Sequence, residues 1–201
     1  MIQCQETATR QDYCLLICHG RISTFQSIFS GGESRTKEFL KKNLNGRIPV
    51  LELDDGHCLP ESNAILYFLA QGSPYWPAEP FAQAQVMQWL FFEQYSHELN
   101  IATPRFWLKT GIMEDTPFYR DLLAQKQRAG NQALGVMNEH LADRSFFVGE
   151  SYTIADIALY AYTHVAGEGG FDLSQYPAVV AWLSRVRGQS GHITINQWAA
   201  A

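Results

Sequence analysis

The chain has 201 residues, 46% of them hydrophobic and 17% charged, with a net charge of −5 from 15 basic and 20 acidic side chains. That length carries one large domain or two small ones, and the composition excludes wholesale disorder. The acidic balance speaks against a nucleic-acid surface, which needs clustered positive charge, and no apolar run approaches the roughly 20 residues that span a bilayer.

The opening, MIQCQETATRQ, has no basic start followed by an apolar core, so no secretory leader is expected. The cysteines at 4, 14, 18 and 58 form neither a CxxC nor a zinc-like set. No metal is expected, and buried free thiols in a reducing cytoplasm are the simplest account of them. Residues 21–29, RISTFQSIF, are rich in strand formers and end at Gly31-Gly32; 36–43, TKEFLKKN, read as a short helix. IPVLEL (48–53) and HCL (57–59) flank Asp54-Asp55-Gly56, a hairpin signal. In 61–71 the apolar residues Ala64, Ile65, Phe68 and Leu69 stand at helical spacing, closed by Gly72. Residues 72–81, GSPYWPAEPF, hold three prolines and read as a linker. Helices are then expected at about 82–107, 117–142, 153–166 and 177–187. The division is a mixed α/β head over 1–73, a linker over 74–81 and an all-helical tail over 82–201.

Two spots in the head carry chemistry. An X-Pro bond tolerates the cis form, and a proline entering a strand withholds its own N–H from the ladder. At Pro49 this can turn the N–H and C=O of Ile48 outward, where an extended peptide adds as a strand; the plainer alternative is that Pro49 only starts a strand. Glu61 and Ser62 open the next helix, where backbone N–H groups are unpaired and the dipole is positive. Ser62 and the amides can hold a ligand carboxylate while Glu61 holds an adjacent ammonium, together an α-amino acid. The plainer alternative is helix capping alone.

The run GRIPVLELDDG…ESNAILYFLA resembles the second half of the glutathione S-transferase N-terminal domain, which has a thioredoxin-like fold followed by an all-α domain. GESRTKEFLKKNLNGR (32–47) resembles bacterial members, with Leu44 where a proline is usual. SYTIADIAL (151–159) resembles the family's folding signature: Thr153 and Asp156 have capping-box spacing and Tyr152 and Ile157 that of a hydrophobic staple, all structural roles. The resemblance covers about residues 20–190. It implies a glutathione site in which Ile48, before Pro49, pairs with the cysteinyl backbone and Glu61-Ser62 hold the γ-glutamyl end. It also implies a homodimer, with a second substrate against Tyr95, Asn100, Arg105 and Trp107. His97 is expected at a surface or interface, and Phe91, Phe92 and Trp107 in the core.

The opening departs from the pattern. In the family a residue just after the first strand steadies the glutathione thiolate, the form that attacks electrophiles. Counting back, CLLICHG (14–20) matches the end of the first helix, which leaves IQCQ (2–5) as a shortened strand and ETAT (6–9) as the loop. Thr9 and Thr7 are then the candidate sulfur contacts. The expected function is a glutathione transferase that conjugates an electrophile or reduces a disulfide. The alternative is a binding module that has lost the active-site loop.

Overall fold

The structure is a computed structural model that describes residues 2–4, 25–27, 33–190 and 192. The chain divides into two compact units, one reaching Trp76 and one spanning Pro77–Gln189, with Ser190 grouped with the first.

The first unit holds a four-stranded sheet in the order β2-β1-β3-β4. β1 (Ile2–Cys4) runs parallel to β2 (Phe25–Ser27), with Ile2 opposite Phe25, and antiparallel to β3 (Val50–Glu52), with Gln3 opposite Val50. β4 (Cys58–Pro60) closes the hairpin expected from Asp54-Asp55-Gly56: Leu53 N–H donates to His57 C=O and Gly56 N–H to Leu53 C=O, both at 2.9 Å. Helix α1 (Lys37–Lys42) starts at Thr36, whose hydroxyl accepts from Phe39 N–H, and buries Phe39. Helix α2 (Ser62–Ala70) buries Ile65, Leu66, Leu69 and Ala70. Phe68, expected on the inner stripe, is 45% exposed.

The second unit is helical. Helix α3 (Pro80–Phe92) begins two residues earlier than expected because proline suits the first helical position, where its missing N–H has no partner to lose. A π-helical turn, Glu93–Glu98, joins it to α4 (Leu99–Thr110), so the single helix expected at 82–107 is two α segments around a wider turn. Pro104 lies inside α4 and lacks the N–H that Asn100 C=O would otherwise accept. A Cβ at Gly130 of α5 (Pro117–His140) would lie 2.7 Å from that oxygen. Helix α6 (Ile154–Thr163) is buried on nearly every side, and α7 (Pro177–Arg187) has the expected limits.

The Thr153/Asp156 capping box is formed. Asp156 also reaches further: its Oδ1 accepts from Phe147 N–H at 3.1 Å and from the Trp182 indole N–H at 2.9 Å. Its Oδ2 accepts from Thr153 N–H at 2.9 Å and the Thr153 hydroxyl at 3.1 Å. Burial pushes this carboxyl up to about 6 against the opposing pull of those hydrogen bonds.

His97, expected at a surface, is fully buried in the π-turn. Its Nε2 lies 2.8 Å from Thr163 Oγ1, and that hydroxyl donates to Leu159 C=O at 2.6 Å. The threonine proton is therefore committed, so His97 Nε2–H is the donor and the ring is neutral. Its Nδ1 has no partner among the described residues. Burial holds the ring at a pKa of about 3.

Two predictions follow from these buried groups. Asp156→Ala leaves three N–H donors without their acceptor and should lower unfolding stability by about 2–4 kcal/mol in denaturant titration. An unchanged midpoint would refute this role. For His97, the folded pKa lies below the unfolded value of 6.5. Its contribution is therefore complete above pH 6.5 and falls by about 1.4 kcal/mol per pH unit below that, down to the folded pKa. Asp156 acts in the opposite sense: its folded pKa is raised, so it favours the fold as pH drops from about 6 toward 3.8. The His97 effect is accordingly read as the difference between the unmodified protein and His97→Gln, and a difference that does not change between pH 7 and pH 5 would refute it.

Candidate functional site at the end of the β3–β4 hairpin

The last pair of the β3–β4 ladder is Val50 opposite Pro60. One step beyond it, on the two strands, stand Pro49 and Glu61. The register therefore sets Ile48-Pro49 beside Glu61-Ser62, although 12 positions separate Pro49 from Glu61 in the sequence. The Ile48–Pro49 peptide is cis. Neither the N–H nor the C=O of Ile48 has a backbone partner among the described residues.

Glu61 is the N-cap residue of α2 and the one non-glycine residue at positive φ among the described residues, with φ 72° and ψ 119°. A side chain rarely adopts that region, and residues held there cluster at functional sites. Glu61 is exposed and makes no side-chain cap. Ser62 is half-buried at the first helical position, and its hydroxyl has no hydrogen bond within the described residues. Capping alone therefore does not account for the pair. The start of an uncapped helix favours an anion, and the neighbouring carboxylate of Glu61 favours a cation. Beside them the Ile48 peptide groups offer one donor and one acceptor to an extended chain.

Thr7 and Thr9 fall outside the described residues. Tyr95, in the π-turn, is 82% exposed. Asn100 is half-buried and donates to Ser96 C=O at 2.8 Å. Arg105 is 6% exposed, with Nε 2.8 Å from Glu168 Oε2. Trp107 is half-buried and meets Tyr119 edge to face at 5.8 Å. Arg105 thus faces inward while Tyr95 faces out. Phe91, expected in the core, is 65% exposed.

No cluster of three or more His, Cys, Asp or Glu able to hold a metal occurs among the described residues, and no described helix is long and apolar enough to cross a membrane. Sequence reasoning passed over Asn43, which anchors the loop leading to Ile48. Its one signal was an asparagine at the end of a helix and three residues ahead of Gly46.

Residues 26–71 match the glutathione S-transferase N-terminal domain, and residues 101–190 the C-terminal domain. A glutathione S-transferase-like protein of a Fusarium species is 32% identical over 165 residues, 76% of this chain and 71% of that protein. Elongation factor 1-gamma of Carassius auratus is 34% identical over 169 residues, which is 81% of this chain but 37% of the factor, so the chain corresponds to only part of such proteins. The crystal structure of a glutathione S-transferase from Pseudomonas fluorescens Pf-5 superposes with a TM-score of 0.90 at 46% identity, over 96% of this chain and 98% of that one. A glutathione transferase homologue of Lodderomyces elongisporus, with two GSH per subunit, shares the fold at TM-score 0.81 and 21% identity, over 98% of this chain and 95% of that one. The chain belongs to the glutathione S-transferase family.

Proposed function

We propose that this protein is a glutathione transferase of the cytoplasm that binds glutathione at the end of the β3–β4 hairpin. The observation that carries the reading is the register that sets the Ile48 peptide groups beside Glu61-Ser62 and the uncapped start of α2. In this reading Ile48, ahead of Pro49, pairs with the cysteinyl backbone. Glu61 holds the γ-glutamyl ammonium, and Ser62 with the helix amides holds its carboxylate. The hydroxyl of Thr9 or Thr7 steadies the thiolate, which attacks an electrophile or reduces a disulfide. Tyr95, Asn100, Arg105 and Trp107 remain the residues offered to the second substrate. No metal takes part.

A second reading, a glutathione-binding module without turnover, draws support from the likeness to elongation factor 1-gamma, whose name states a role other than transfer. Calorimetry with glutathione, run beside a conjugation assay with a generic electrophile, separates the readings. Glutathione should bind, and Ser62→Ala should weaken it about tenfold, one charge-assisted hydrogen bond. Thr9→Ala and Thr7→Ala should leave binding intact, and one of them should slow turnover. Binding without turnover favours the module, and no binding at all leaves only a scaffold.

The protein is further proposed to form a homodimer. The outer stripe of α3, the π-turn and α4 carries Phe81, Phe91, Tyr95, Leu99 and Phe106, each at least 47% exposed and none charged. A single core needs one apolar stripe per helix, and this run has a second. Sedimentation at micromolar concentration should give two copies, and Phe91→Glu should shift the protein toward one. A single copy in the unmodified protein would remove the dimer.

A further inference from the structure

The loop between α1 and β3 is held by one residue. Asn43 is 6% exposed and uses its backbone and side-chain groups within a few residues of itself. Its N–H donates to Phe39 C=O at 3.0 Å, and its C=O accepts from Gly46 N–H at 2.9 Å. Its Oδ1 accepts from Asn45 N–H at 3.0 Å, and its Nδ2 donates to Arg47 C=O at 2.7 Å. Arg35 braces the same loop from outside, donating from Nη1 to Asn45 C=O at 3.2 Å. Gly46 fits between them at φ +61°, where a Cβ would lie 2.6 Å from Arg35 Nη1.

The shortest of these bonds has a consequence beyond the loop. Arg47 C=O and Ile48 N–H are the two ends of one planar peptide unit. That unit is trans, since the cis bond is the next one, Ile48–Pro49. In a trans peptide the C=O and N–H point in opposite directions. Fixing the Arg47 oxygen on Asn43 Nδ2 therefore aims the Ile48 N–H away from Asn43 and prevents the peptide plane from turning over.

We propose that Asn43 is a positioning residue for ligand binding: by pinning the Arg47 carbonyl it holds the Ile48 N–H ready to donate to the cysteinyl carbonyl of glutathione. The proposal rests on reading this hairpin end as the glutathione site. Asn43 itself does not touch the ligand. Its whole effect passes through one peptide plane, so it acts on the part of the ligand that meets Ile48 N–H and on no other part.

Two ligands test this. Glutathione presents a cysteinyl carbonyl, whereas γ-glutamyl methylamide keeps the γ-glutamyl end and the following N–H but has no such carbonyl. Asn43→Ala should weaken glutathione about fivefold or more, the loss of one hydrogen bond, and leave the methylamide within about twofold. Equal loss for both ligands would overturn the proposal, because a general weakening of the fold or site would do that. Should Asn43→Ala not fold, Asn43→Asp decides: it keeps the Oδ1 contact to Asn45 and places a carboxylate oxygen against the Arg47 carbonyl, so it too should weaken glutathione alone. In the unmodified protein, the Ile48 amide proton should move downfield in NMR on adding glutathione and stay in place with the methylamide. A still resonance at saturating glutathione would overturn the proposal. Absence of glutathione binding by the unmodified protein would end the site reading and this proposal together. Binding that is sensitive to Ser62→Ala but indifferent to both Asn43 variants would keep the site and sink the positioning role alone.

Discussion

Four donors from three stretches of the second unit converge on one buried carboxylate. Asp156 takes the Phe147 N–H, the N–H and hydroxyl of Thr153, and the indole N–H of Trp182. Withdrawing a carboxylate from water costs several kcal/mol, and these bonds offset that cost only if every donor stays in place. The geometry matters more than the energy. Helix α6 is apolar almost all round, so it has no wet face to choose its rotation about its own axis. The Asp156 cluster makes that choice. It fixes the start of α6, the bend at Phe147 and the position of Trp182 on α7 together. The buried contact of His97 with Thr163, near the other end of α6, depends on the same rotation.

The first unit solves a different problem. Its candidate site is built largely from backbone: the peptide groups of Ile48 and the first turn of α2, with Glu61 and Ser62 added. Recognition of this kind depends on strand register more than on side-chain identity. That explains how a departure such as Leu44 is accommodated. Leu44, in the loop that Asn43 holds, is 90% exposed. Val50 and Leu51 fix the register from below, both nearly fully buried on the central strand β3.

Much of this was legible in the sequence. The Asp-Asp-Gly turn, the Thr153/Asp156 spacing and the limits of α7 are local features, and local chemistry determines them. That Ile48 and Glu61-Ser62 serve one site was legible only through the family resemblance, since each spot by itself reads equally as a strand start or a helix cap. The π-turn was not legible, because hydrophobic spacing does not distinguish a fourth from a fifth-residue hydrogen bond over six residues. His97 was misplaced because its polarity pointed outward, although it stands four residues from both Glu93 and Ile101 on one inner line. The bond from Trp182 to Asp156 spans 26 residues and left no local trace. Asn43 read as an ordinary turn residue, since an asparagine near a glycine usually serves only its own turn.

The π-turn also sets the phase of the helix that follows it. An α-helix advances by about 100° per residue, and the i→i+5 turn accommodates one residue more than an α-helical turn would. Were Glu93–Glu98 to close as ordinary α-helix with every residue kept, all of α4 would swing round by roughly 100°. Ile101, Pro104 and Arg105 would leave the interior, and the Arg105–Glu168 pair would part, although no side chain in α4 had changed. The widened turn thus absorbs one residue, and a deletion between Glu93 and Glu98 would let it close as ordinary α-helix with α4 still in phase.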